Sequence, residues 1–118
     1  MGAFNHRIAI ASSPDGPFEE IEALVDTGST YTWIPRPILE RLGVQAVEIR
    51  EFETADGRII ERDVGVAVAR LDDRMLPTLV VFTEANNRPL LGVVTLEMFG
   101  LGVDPVRQRL VPVRGLAM

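Results

Sequence analysis

The chain has 118 residues, of which 47% are hydrophobic and 25% are charged, and its formal net charge is -5. It contains no cysteine and one histidine, and all twelve basic residues are arginine. This composition excludes disulfides, cysteine nucleophiles, multi-histidine metal centres and Schiff-base lysines. The remaining acid–base groups are Asp, Glu, Tyr31 and His6, of which the carboxylates are the strongest candidates.

The length predicts a single domain over residues 1–118, with enough surface buried on folding to form a core. The acidic balance and the scattered arginines argue against nucleic-acid binding. No apolar run approaches the roughly 20 residues of a membrane helix. Residues Met1 to Ala11 lack the features of a signal peptide. We therefore expect a cytoplasmic protein that binds neither nucleic acid nor membrane.

The first predicted elements are a β-hairpin and a helix. Arg7–Ser12 and Phe18–Val25 flank a segment rich in Pro and Gly, which is typical of a turn between two strands. A short helix is predicted at Pro37–Leu42, because proline suits a first helical turn and Gly43 suits a helix end.

The middle of the chain predicts more strands. Residues 46–60 form a second hairpin that turns at Ala55-Asp56-Gly57, because Asp-Gly between strand-like flanks favours a tight turn. In the segment Asp63–Leu71, three valines at every second position predict a strand with Val64, Val66 and Val68 on its buried face. The apolar run Leu79–Phe82 predicts a central strand.

The last third contains a glycine turn and two more strands. After the polar loop Glu84–Arg88, Leu90-Leu91-Gly92 leads into a predicted short helix at Val94–Phe99, which ends at Gly100. Leu101 to Val113 predicts two strands around Asp104-Pro105. The chain is therefore predicted to be mainly β, with one or two short helices.

One pattern occurs twice. Leu24 to Gly28 and Pro89 to Gly92 each combine an apolar strand with a glycine turn, and each precedes a predicted short helix. Such a weak internal repeat suggests a domain built from two similar halves.

Asp26-Thr27-Gly28-Ser29 is the most informative motif. Val25 ends an apolar strand at a tight turn, from which the Asp26 carboxylate can project into a cleft. Gly28 permits close approach of another backbone, and the two hydroxyls can satisfy nearby polar groups.

This motif, followed by Trp33-Ile34-Pro35, resembles the active-site turn of aspartic peptidases. The Ala55–Gly57 hairpin and Leu90–Gly92 with its helix resemble the retroviral-type, or retropepsin-like, branch, including its bacterial members. The resemblance spans Ile8 to Val113. It implies a closed, barrel-like, mainly antiparallel β domain that forms half of a homodimeric enzyme.

The resemblance also implies a mechanism. One Asp-Thr-Gly per chain implies that Asp26 from each of two protomers activates one water, without a metal or organic cofactor. Thr27 would lock the two turns together, and Gly28 would expose its carbonyl to the substrate. Ser29 would donate a hydrogen bond to the Asp26 carboxylate and make the pH optimum more acidic. The tip Ala55, Asp56 and Gly57 would be a flap that closes over an extended peptide or protein substrate.

Other interpretations remain open. The same fold could serve as a non-catalytic peptide-binding or dimerisation module, and Asp26 could be only a turn residue. Trp33 is expected in the core, and His6 is expected to be a solvated terminal residue. The strands after Leu101 depart from the retroviral pattern, in which the chain ends soon after the helix, so the mode of dimerisation is open.

Overall fold

The computed structural model describes residues 3–115. Within this range the chain forms nine strands and two short helices. In chain order these are β1 (Phe4–Ala11), β2 (Glu19–Val25), β3 (Thr32–Pro35), α1 (Arg36–Leu42), β4 (Ala46–Glu53), β5 (Ile59–Leu71), β6 (Arg74–Thr83), β7 (Leu90–Leu91), α2 (Val93–Met98), β8 (Leu101–Asp104) and β9 (Arg109–Pro112). No helix in the described part of the chain is long and apolar enough to span a membrane.

Seven strands form one sheet in the order β1-β2-β7-β3-β6-β5-β4. An additional pairing between β1 and β5 closes six of these strands into a ring, from which β4 extends beside β5. The strands β8 and β9 form a separate two-stranded sheet. The predicted mainly β, ring-like architecture is confirmed. Two of its pairings, β2 with β7 and β3 with β6, are parallel.

The predicted hairpins and helices are confirmed with small shifts of their ends. The strands β1 and β2 pair antiparallel from Phe4 opposite Val25 onward, and β4 pairs antiparallel with β5. Helix α1 begins one residue before the predicted position and ends at Leu42, and the following Gly43 has a left-handed backbone with φ of 85°. Helix α2 also begins one residue early and precedes Gly100 at φ of 64°.

The predicted buried face of β5 is confirmed at Val64 and Val68 and is wrong at Val66. Val66 is 53% exposed, whereas the main core contains Ala67, Ala69 and Leu71 from the alternate face. Period-two alternation identifies which residues share a face, but both faces of this strand are apolar and the pattern cannot rank them. Val64 and Val68 are buried outside the main core cluster.

The strand β3 was not predicted. It has only four residues, and it lies between the Asp26 turn and helix α1, which has proline as its second residue. It pairs in parallel with the C-terminal end of β6, with Trp33 opposite Val81. This pairing places the chain that follows the Asp-Thr-Gly-Ser motif inside the sheet.

Candidate active site

Asp26 is the first residue after β2, at the start of an exposed turn. Its backbone N–H donates to the Leu91 carbonyl across 3.3 Å, which ties the end of β2 to β7. The Gly28 N–H donates to Asp26 Oδ1 at 2.9 Å, and the Ser29 N–H donates to the Asp26 carbonyl at 3.0 Å. The Gly28 bond orients the half-buried carboxylate and the other two fix the backbone of the turn, while Thr27 and Gly28 remain exposed.

Ser29 does not support Asp26 in the way we expected. Its hydroxyl donates to the Tyr31 carbonyl oxygen at 2.9 Å. A serine hydroxyl has one hydrogen to donate, and here that hydrogen stabilises the exit of the turn. The more acidic pH optimum that we expected from a Ser29–Asp26 hydrogen bond therefore loses its cause.

The N-terminus of helix α2 is hydrogen-bonded to the Asp26 turn. The backbone N–H of Val93 donates to the Ser29 carbonyl at 2.9 Å, and that of Val94 donates to the Thr30 carbonyl at 2.9 Å. The first N–H groups of a helix have no partner within the helix. In α2 no side chain caps them, and the carbonyls of the Asp26 turn take that role.

Gly92 makes this approach possible. A Cβ built on Gly92 would lie 2.9 Å from the Thr30 carbonyl carbon and closer still to the carbonyl of Tyr31. Its N–H donates to Thr32 Oγ1 at 3.0 Å. The glycine of the Leu-Leu-Gly segment is therefore required by close packing of two backbones.

A chain of three buried threonines lies beneath the turn. Thr95 Oγ1 is 2.5 Å from Thr32 Oγ1 and 2.8 Å from Thr78 Oγ1. All three residues are at most 2% exposed. The network connects α2, β3 and β6, and through Thr32 it reaches Gly92. These buried hydrogen bonds therefore fix the positions of the elements that flank the Asp26 turn.

The two similar segments lie side by side. Leu24 is paired in parallel with Leu90, and Val25 is paired with Leu91. Asp26 and Gly92 thus leave adjacent strands at the same edge. One segment presents a carboxylate at this position, and the other presents a glycine and a helix.

The predicted hairpin tip is confirmed as a turn and is held mainly by local bonds. The Thr54 N–H donates to the Arg58 carbonyl at 2.8 Å, and Gly57 has φ of 87°. The Thr54 hydroxyl and the Arg58 N–H both donate to the Asp56 carboxylate, and they lower the pKa of that group. Ala55, Asp56 and Gly57 are all exposed. Within residues 3–115, no hydrogen bond joins this tip to the Asp26 turn.

An aromatic cluster connects the hairpin to the segment that follows the Asp26 turn. Phe52 on β4 lies 5.6 Å from the Tyr31 ring in an edge-on arrangement and 5.0 Å from the Trp33 ring, measured between ring centroids. Trp33 is half-buried and is not a member of the main core, so its predicted core position is wrong. Sequence reasoning did not single out Phe52. Its position as the one aromatic residue among the charged residues of β4 is a signal for such a contact.

Trp33 lines an open cavity of about 370 Å³, which we call the Trp33 cavity. Its walls combine apolar side chains with hydrogen-bond donors: Trp33, Ile60, Arg62, Thr83, Asn87, Arg88 and Leu90. Leu90 belongs to β7 and Trp33 to β3, the two strands that follow β2 in the order of the sheet. The cavity therefore adjoins the part of the sheet that carries Asp26.

The remaining candidate groups lie elsewhere. His6 on β1 is half-buried, with Nε2 4.0 Å from Asp72 Oδ1, so it is not fully solvated as predicted. In residues 3–115 no group of three or more His, Asp or Glu side chains is arranged to hold a metal ion.

Comparison with known proteins extends this assignment. The model of the family described as gag-polyprotein putative aspartyl protease matches residues 17–98, which include both Asp26 and Gly92. No curated protein sequence matches the chain. Similar solved structures include the protease of simian foamy virus (mac), with a TM-score of 0.55 and 17% identity, covering 80% of this chain and 94% of that chain.

Two further solved structures are of non-viral origin. A retropepsin-like aspartic protease from Rickettsia conorii has a TM-score of 0.53 and 18% identity, and the match covers 89% of this chain and 90% of that chain. The retroviral protease-like domain of Ddi1 from Leishmania major has a TM-score of 0.60 and 16% identity, covering 95% and 89%. Because the family model matches more than half of its length, the chain belongs to the gag-polyprotein putative aspartyl protease family, and its fold is retropepsin-like.

Proposed function

We propose that the protein is a homodimeric aspartic endopeptidase in which Asp26 of each protomer acts on one shared water. The observation that carries the proposal is the Asp26 turn. Its carboxylate follows the end of β2 and is oriented by the Gly28 N–H at 2.9 Å. The turn is hydrogen-bonded to α2 through the carbonyls of Ser29 and Thr30. Family membership supports the same chemistry.

The need for a second chain follows from the number of carboxylates. The sequence has one Asp-Thr-Gly, and the paired segment offers leucine and glycine at Leu91 and Gly92. An isologous dimer would bring two copies of Asp26 together across a two-fold axis. Two carboxyl groups about 3 Å apart share one proton. The pair then titrates as a unit with two macroscopic pKa values.

The shared proton defines the roles of the two Asp26 residues. The ionised carboxylate accepts a proton from the water, whose oxygen attacks the carbonyl carbon of the substrate. The protonated carboxyl donates to the carbonyl oxygen. Collapse of the tetrahedral intermediate breaks the C–N bond, and the leaving nitrogen takes up a proton. The products are a carboxylic acid and an amine.

The neighbouring residues have supporting roles in this proposal. The Thr27 hydroxyl forms no hydrogen bond within residues 3–115, and its exposed position suits a contact with the partner's turn. The Gly28 carbonyl would accept from the substrate backbone. The tip Ala55, Asp56 and Gly57 would close over an extended peptide and exclude water from the two carboxyls.

The test is digestion of a complex peptide library at several pH values, with new termini identified by mass spectrometry. The parent protein and Asp26→Asn are compared at a concentration where sedimentation shows a dimer. Asp73→Asn is the matched control, because Asp73 is an exposed turn aspartate. We expect new termini with the parent and Asp73→Asn, and a loss of at least about a hundredfold with Asp26→Asn.

Two outcomes would contradict the proposal. The first is cleavage by Asp26→Asn at the parent rate. The second is a dimer that binds peptides in this cleft and leaves them uncut at every pH. That second result would favour the non-catalytic peptide-binding module.

A further inference from the structure

The side chains that line the Trp33 cavity carry positive charge, whereas the whole chain is negatively charged. The chain has a net charge of -5, yet the walls of this cavity include two arginines and no carboxylate. Arginine, asparagine and threonine side chains supply hydrogen-bond donors, and Trp33, Ile60 and Leu90 supply apolar surface. Such a lining suits a side chain with an apolar stem and an anionic end.

Arg88 has unused capacity for an anion. Its Nη2 donates to Asn5 Oδ1 at 2.7 Å, and it forms no ion pair with a carboxylate in residues 3–115. A guanidinium has five N–H donors, and its planar fork matches a carboxylate. The side chain is exposed at the mouth of the cavity, where an incoming carboxylate can reach it.

Arg62 lies deeper, on β5 of the flap-like hairpin. Its Nη1 donates to the Glu61 carbonyl at 2.8 Å. Its Nη2 is 3.7 Å from Glu84 Oε2, which is longer than a hydrogen bond, and Glu84 is 68% exposed. Its Nε is buried without a partner in the described part of the chain. The positive charge of Arg62 is therefore incompletely paired beside the cavity.

We propose that the Trp33 cavity binds an Asp or Glu side chain of the peptide substrate, and that Arg88 and Arg62 determine this specificity. The inference rests on the proposed function, because it assigns a preference to the same cleft. The cavity also joins the hairpin to β3, so an occupying side chain contacts both Ile60 and Trp33.

Binding can be measured independently of cleavage. Trp33 is the only tryptophan, so its fluorescence reports occupation of the cavity without labelling. Peptides that differ only in Glu or Gln at each position flanking the scissile bond would be titrated against Asp26→Asn, and their kcat/KM would be measured with the parent. At one position we expect the Glu peptide to exceed the Gln peptide by about tenfold both in binding affinity and in kcat/KM.

The variants assign that preference to a residue. In Arg88→Gln the Glu-to-Gln ratio of kcat/KM should fall to about one. In Arg88→Glu the kcat/KM of a Lys peptide should exceed that of the Glu peptide. Arg62→Gln should lower the ratio as well. Arg7→Gln is the matched control, because Arg7 is an exposed β1 arginine paired with Glu20 at 3.8 Å and is not part of the cavity. It should keep the parent ratio.

The outcomes separate this inference from the proposed function. Cleavage of Glu and Gln peptides at equal rates, or a ratio that Arg88→Gln leaves unchanged, would overturn the inference and leave the peptidase assignment standing. Binding that depends on the Glu side chain and on Arg88, without cleavage by the parent dimer, would overturn the peptidase assignment and support the cavity assignment.

Discussion

The turn that carries Asp26 and the tip of the β4–β5 hairpin are both short turns containing a glycine, but the protein stabilises them differently. The Asp26 turn is bonded through its carbonyls to α2, and the buried threonine network lies beneath it. Gly92 permits this contact because its missing side chain leaves room for the carbonyl of Tyr31.

The hairpin tip has no such support. Its side-chain bonds run among the half-buried Thr54 and the exposed Asp56 and Arg58. A Cβ built on Gly57 would meet nothing within 4 Å, so this glycine serves the left-handed backbone at φ of 87°. Exposed local hydrogen bonds and few apolar contacts are typical of segments that open easily. The difference indicates that the Asp26 turn is held more rigidly than the hairpin tip.

The largest expected effect is that of Gly92→Ala. The added methyl group would overlap the backbone of Thr30 and Tyr31, and Thr30 cannot move without breaking its bond to Val94 of α2. We expect a loss of about 3 kcal/mol or more in the free energy of unfolding, measured with urea. Gly57→Ala is the contrasting variant, and its left-handed backbone should cost about 1–2 kcal/mol. An equal loss in the two variants would contradict the comparison.

The second expected effect concerns the threonines. Thr95→Val keeps the side-chain shape and removes the hydroxyl that contacts both Thr32 and Thr78. Leaving buried hydroxyls short of partners should destabilise the protein by about 1–3 kcal/mol. Thr54→Val at the exposed tip should cost at most about 0.5 kcal/mol. Thermal and urea unfolding of the two variants side by side test the difference, and a Thr54→Val loss as large as that of Thr95→Val would refute it.

The third prediction addresses the link between the two regions. Phe52→Ala removes the ring that contacts Tyr31 and Trp33, whereas Phe52→Leu keeps most of the apolar area. Because Phe52 is half-buried, we expect Phe52→Ala to cost about 1–2 kcal/mol and Phe52→Leu less than about 1 kcal/mol. Hydrogen exchange should become faster in the amides of β4 and remain unchanged in Val93 and Val94. Faster exchange both in β4 and at Val93 and Val94 would show that the hairpin and the Asp26 turn do not open independently, and would contradict this prediction.

The smallest effect is the response of the hairpin tip to pH. The hydrogen bond from Thr54, followed by that from the Arg58 backbone, lowers the pKa of Asp56 below its ordinary value of 3.8. A depressed pKa means that the tip bonds are fully present above pH 3.8 and are lost as the pH falls through the lower folded value. An NMR titration of the Gly57 and Arg58 amides should therefore show a transition below pH 3.8. In Asp56→Asn that transition should be absent.

The sequence predicted the elements whose signals are local. Asp-Thr-Gly-Ser at a strand end, Asp-Gly between strand-like flanks, and glycine after each helix all act through neighbouring residues, and each was found as predicted. The position of Asp26 at the end of β2 could therefore be read from its own segment.

The features that the sequence did not predict depend on contacts distant in the chain. Ser29 donates to Tyr31 because the chain turns into β3, a strand that is recognisable only by its pairing with β6. Trp33 lies at a cavity wall because Arg62 and Arg88, both remote in sequence, complete that wall. Ala67 and Ala69 face the core on a strand where valines alternate with them, and only the packing of the whole ring decides between the two faces.

The most direct test of the account is a mixing experiment with parent and Asp26→Asn subunits at constant total protein. If each catalytic pair takes one Asp26 from each protomer, equal amounts of the two subunits leave about a quarter of the dimers with two aspartates. We predict that peptidase activity of the equilibrated mixture falls to about a quarter of the parent value. An activity of about one half, proportional to the amount of parent chain, would show that one chain suffices and would contradict the two-aspartate mechanism.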